Sequence, residues 1–105
     1  MTVQLALCSC PDETTARSLA SGLVEEQLAA CVSLLPGISS VYRWEGRIQE
    51  DAEALLLIKT TQERFPQVRD YLAATHPYEL PEVIAVPVAQ GYEPYLDWVA
   101  ASVSG

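Results

Sequence analysis

Apolar and polar residues alternate along Val3-Gln4-Leu5-Ala6-Leu7-Cys8, with Val3, Leu5 and Leu7 on one face, which is the period of a strand. Pro11-Asp12 stops it. Asp12 is a helix N-cap type, and Glu13 sits in the first turn that follows. Ala16, Leu19, Ala20, Leu23 and Val24 then recur at i, i+3, i+4, i+7 and i+8, the stripe of a helix lying on a core and ending near Gln27. Ala30 to Leu35 reads as a second strand. Pro36-Gly37 would end it, yet Ile38 to Trp44 resumes the extended pattern with Ile38, Tyr42 and Trp44 on one side, so Pro36-Gly37 is a bulge or bend within one long strand. Glu45-Gly46 is a tight hairpin turn. The third strand returns through Ile48, is strongest at Ala54 to Ile58, and ends near Thr61. A second helix spans about Gln62 to Thr75, with Pro66 in its first turn and Phe65, Val68 and Leu72 buried. His76 to Pro81 is a stiff connection holding two prolines. Val83 to Ala89 is the fourth strand, where Pro87 implies an edge position or a local break. A last helix from about Glu93 to Val103 buries Tyr95, Leu96, Val99 and Val103.

This order is βαββαβ with an added C-terminal helix. It predicts an α/β (α+β) domain of the ferredoxin-like arrangement, a four-stranded antiparallel sheet with helices on one face. The hairpin arms, Ala30 to Trp44 and Arg47 to Thr61, each hold about 15 residues and reach about 50 Å when extended. A domain of this size has a radius of gyration of about 13 Å. The ribbon must leave the body, and its tip carries Ile38, Tyr42 and Trp44. An isolated hairpin is marginal in water and an exposed apolar edge invites pairing. Docking onto sister copies in a closed ring resolves both problems, and also covers the sheet face that the helices leave bare.

The 105 residues make one domain, residues 1–105, with half of them apolar. A domain so small is marginal alone, which again favours self-association. Six basic residues stand against 14 acidic ones, a formal net charge of −8. That excludes the clustered cations that nucleic acid or anionic lipid requires. No apolar run is long enough to span a membrane. Met1 to Leu5 lacks the basic region of a signal peptide, and three cysteines make no disulfide framework. The expected location is the reducing cytoplasm.

Five short stretches, in order, carry a family resemblance: Leu28 to Val32, Pro36 to Gly46, Ile58-Lys59-Thr60, His76 to Glu82, and Tyr95 to Trp98. The chain resembles the CutA family of divalent-cation tolerance proteins over nearly all its length. The resemblance implies a ferredoxin-like homotrimer, similar in architecture to PII-type signal proteins, with a role in tolerance to copper and other divalent cations. It also implies metal ligands at Cys8 and His76. Thr75 stands where the family sometimes has a second histidine, which removes one ligand.

The residue types agree with that chemistry: thiolate suits Cu(I), and imidazole suits copper, zinc and nickel. Cys8 and Cys10 form a Cys-x-Cys pair able to share a strand face, although Pro11 is placed to twist Cys10 away. The alternative is that Cys8 is a small buried hydrophobe and His76 a turn residue. Cys31 reads as core packing. Glu50, Asp51 and Glu53 read as charged hairpin surface, and Glu79 with Glu82 as a solvated loop or a carboxylate pair. Tyr42, Trp44, Tyr78 and Trp98, with Lys59 and Glu79, serve interface packing or line a cleft between subunits that holds a small ligand. One histidine, no nucleophile–base pair and no glycine phosphate signature leave no enzyme constellation. Two readings follow: a trimer that binds copper or another divalent cation, and a PII-like trimeric sensor of a small metabolite.

Overall fold

In a computed structural model describing residues 2–104, the first strand, β1 (Val3–Cys10), runs two residues beyond the alternation at Cys8. The helix α1 (Glu13–Glu25) starts where Asp12 accepts the Thr15 backbone N–H at 2.7 Å, satisfying one of the amides the first turn orphans. It stops short of Gln27 because Gln27 takes a left-handed φ of 57°. The Leu28 N–H then reaches back to Leu23 O at 2.9 Å and closes the end.

The long ribbon is β2 (Cys31–Trp44) and β3 (Arg47–Thr61). Glu45 (φ 52°) and Gly46 (φ 77°) are both left-handed, the turn whose twist matches a two-residue hairpin. Register runs from Leu35↔Leu55 to Ile38↔Glu53, so Pro36 and Gly37 oppose Ala54 alone. That is the bulge expected at Pro36-Gly37, with Gly37 at φ 71°.

The second helix, α2 (Phe65–Thr75), begins three residues later than expected, so that Pro66 falls in the first turn where its missing N–H costs nothing. The edge strand β4 (Ile84–Pro87) is shorter than Val83–Ala89 and ends at the proline. Helix α3 (Glu93–Val103) closes the order. The sheet order is β2-β3-β1-β4 with every neighbouring pair antiparallel, the βαββαβ plan plus a terminal helix. No helix among the described residues is long and apolar enough to cross a membrane.

Register decides which face is the core. Ala6, Cys8 and Cys10 pair with Ile58, Leu56 and Ala54, and all six are buried with Leu19 and Leu23 of α1 and Val68 and Leu72 of α2. The Val3, Leu5 and Leu7 stripe points to the other face, opposite Thr61, Lys59 and Leu57. Helix α3 packs on β3 and β1, burying Val99 and Val103 outside the main cluster. Tyr95, expected to be buried, is 42% exposed, and Leu96 is half-buried. Phe65 is likewise half-buried. The molecule measures 44 × 25 × 21 Å, the elongation that a protruding ribbon gives. Val41 and Ile48 near its tip are exposed.

Candidate metal centre and aromatic groove

The pleat of β1 turns Cys8 and Cys10 onto the same helix-covered face and Ser9 onto the other. Pro11 does not twist Cys10 away, since Cys10 keeps its pairing with Ala54 and is fully buried. His76 ends α2, its N–H still bonded to Leu72 O at 2.8 Å. Its ψ of 141° is the extended conformation imposed on a residue preceding proline. This places the imidazole over the end of β1. The two sulfurs and a ring nitrogen lie within 4.8 Å of one another, and all three residues are buried.

Both nitrogens of that ring are occupied. Nε2 is 2.8 Å from Ser9 O, and the Tyr78 backbone N–H donates to Nδ1 at 3.0 Å. A carbonyl only accepts, so Nε2 carries the proton and Nδ1 offers its lone pair to Tyr78. The Cys8 thiol is pushed well up by its hydrogen bond with Cys10, by burial, and by the charges of Glu82 and Glu53. The Cys10 thiol is held down by the same bond to Cys8, against the effect of burial. Of the pair, Cys10 therefore ionises first. Thr75 takes no part: its hydroxyl bonds back to Tyr71 O at 2.7 Å.

Tyr78 links this corner to a groove. Its ring lies 4.7 Å from that of His76, and its hydroxyl donates to Glu53 at 2.6 Å. Burial and then the Glu53 bond push the phenol well above its ordinary range. The groove, about 730 Å³, runs along the ribbon and is lined by Tyr42, Trp44, Tyr78, Glu53, Glu79 and Glu82, among others. The Tyr42 hydroxyl donates to Asp51 across it. Lys59 and Trp98 lie outside it in the single chain. Lys59 donates to Ser33 Oγ on the sheet face opposite α1 and α2, 3.8 Å from Cys31 Sγ. Trp98 is on α3, its ring 5.7 Å from that of Tyr95. Cys31 is half-buried on that same face, outside the main core.

Two residues of this region were not singled out as site residues by the sequence. Cys10 needed only the strand to continue through it. Glu53, expected on the hairpin surface, is buried at 9% exposure beneath Tyr78. The one-residue bulge in β2 sets its cross-strand neighbour, pairing it with Ile38 on the side of Tyr42.

Residues 4–102 match the family described as CutA1 divalent ion tolerance protein. The divalent-cation tolerance protein CutA of Thermus thermophilus is 49% identical over 96 residues, covering 91% of this chain and 93% of the relative. Protein CutA of Homo sapiens is 50% identical over 97 residues, of which this chain spans 54% of the relative's length. The crystal structure of CutA from Xylella fastidiosa superposes with a TM-score of 0.95 at 44% identity, covering 98% of this chain and 99% of that one. None of these names denotes a reaction. On sequence and on fold, the chain belongs to the CutA1 divalent ion tolerance family.

Proposed function

We propose that this chain is a homotrimeric, non-enzymatic protein of divalent-cation tolerance that binds metal ions where Cys8, Cys10 and His76 meet. The observation that carries the reading is the convergence of two thiols and an imidazole within 4.8 Å. Soft sulfur and borderline nitrogen favour copper over magnesium or calcium. Three donors are too few for a closed structural zinc site. The metal is therefore cargo, copper or another divalent cation, not a brace for the fold. Three free thiols suit a reducing cytoplasm. The trimer reading is supported by the ribbon and by the sheet face opposite α1 and α2, which carries the half-buried Leu5, Leu7 and Leu57 and the exposed Ile84 and Val86. Isothermal titration with copper tests the site. Binding should collapse in a Cys8→Ser, His76→Ala double variant, and unchanged binding rejects these donors.

The groove supports a second reading, a PII-like sensor of a small metabolite held between subunits. Tyr42, Trp44, Tyr78 and Glu79 share it, and the assembly would have to bring Lys59 and Trp98 to its edge. Its lining holds Asp51, Glu53, Glu79 and Glu82 against Arg43 alone, which suits a cationic or neutral ligand better than a nucleotide. A thermal-shift screen of amines, nucleotides and small anions checks this, and the absence of any ligand-dependent shift counts against it.

A further inference from the structure

We infer that Cys8 and Cys10 form a two-coordinate thiolate site for copper(I), with His76 outside the coordination sphere as the clamp that holds the two sulfurs in place. This rests on the reading that the cluster binds metal, and it reassigns the donors within it.

The first ground is geometric. Residues i and i+2 of a strand share a face, and the two sulfurs here lie within 4.8 Å. Two metal–sulfur bonds of about 2.3 Å reach about 4.6 Å end to end and less when bent, so sulfurs this close are within reach of one bridging ion. The second ground is valence. A ring nitrogen binds metal through a lone pair, and His76 has none to spare: Nδ1 accepts from Tyr78 and Nε2–H is directed at Ser9 O. Ser9 is the residue between the two cysteines. The bond that disqualifies His76 as a ligand therefore fixes the peptide from which both thiols project.

The third ground is the surroundings. Among the described residues, the only group of three or more potential donors is Cys8, Cys10 and His76, with no carboxylate in it. Both sulfurs are fully buried. A hard divalent ion, which takes about six or more oxygen ligands, finds there a single carbonyl oxygen, that of Ser9. Copper(I), soft and satisfied by thiolates, does not need them. Binding replaces two S–H bonds with two S–Cu bonds and releases two protons to solvent. No electron changes hands, and the site goes from neutral to one negative charge.

The test is an anaerobic titration of the full chain with copper(I) against a chromophoric chelator, joined to X-ray absorption of the loaded wild type. We expect one copper(I) per chain and a spectrum fitted by sulfur scatterers without imidazole. Cys10→Ser should weaken binding by more than about 100-fold, while His76→Gln should stay within the roughly 10–100-fold loss typical of an outer-shell partner. An imidazole signature in the wild-type spectrum overturns the inference whether or not the variants fold. So does wild-type affinity in Cys10→Ser. Copper or zinc bound through Cys8 and His76 but not Cys10 would sink this assignment and leave the proposed function standing. A wild type that takes up no metal in any oxidation state would sink both.

Discussion

Nε2 of His76 lies 2.8 Å from the carbonyl oxygen of Ser9, tying the end of α2 to the one peptide that separates Cys8 from Cys10. The contact joins residues 67 positions apart, and through Nδ1 it also engages Tyr78, whose hydroxyl reaches Glu53 on β3. One side chain thus fastens β1, the His-Pro-Tyr connection and β3 together.

Removing that ring should cost stability whether or not metal is bound. His76→Ala leaves the Tyr78 amide without its ring partner and the buried Ser9 carbonyl with only the long contact from the Cys8 thiol, a loss of about 1–3 kcal/mol. Urea denaturation at fixed protein concentration and with chelator present measures it, the concentration being fixed because assembly shifts apparent stability. A loss below about 0.5 kcal/mol, the range of ordinary surface changes, would mean that the imidazole clamps nothing.

The cap of α1 makes a pH-dependent contribution. Asp12 accepts the Thr15 amide, and that bond holds its carboxyl below the ordinary value of 3.8. A depressed folded value means stabilisation that is complete above the unfolded value and lost as pH falls through the folded one. Asp12→Asn keeps a capping oxygen but no charge, so its stability relative to wild type should improve as pH drops from 7 towards 3. Paired denaturation curves at the two pH values check this. A constant difference would remove the charge from the account.

Most of the fold was legible because it is written in local patterns. Glu45-Gly46 announces a two-residue turn, Pro66 a first turn and Pro87 an edge, and each stands where its backbone chemistry requires. What escaped was tertiary. Alternation placed Val3, Leu5 and Leu7 together but could not say that the helices cover the opposite face. Gln27 ended α1 with a left-handed φ that a glutamine does not advertise. At the site, Cys8 and His76 were legible through the family resemblance, whereas Cys10 and Glu53 depended on a strand continuing to its last residue and on a one-residue register shift. The engagement of both His76 nitrogens could not be read at all, because it depends on which carbonyl and which amide the fold delivers.

The ribbon makes a prediction about assembly. Tyr42 and Trp44 are each about two-fifths exposed near its tip, so their own chain covers them only in part. Sedimentation of the wild type at micromolar concentration should give about three times the chain mass of 11.5 kDa. Trp44→Asp, which places a charge on that surface, should shift the distribution towards the monomer. A wild-type monomer would refute the ring.

The metal reading is tested most directly by anomalous scattering from crystals soaked with copper under reducing conditions. The account predicts a peak between the sulfurs of Cys8 and Cys10, within bonding distance of both and not of either nitrogen of His76. Well-occupied peaks confined to surface carboxylates, with that corner empty, would contradict it.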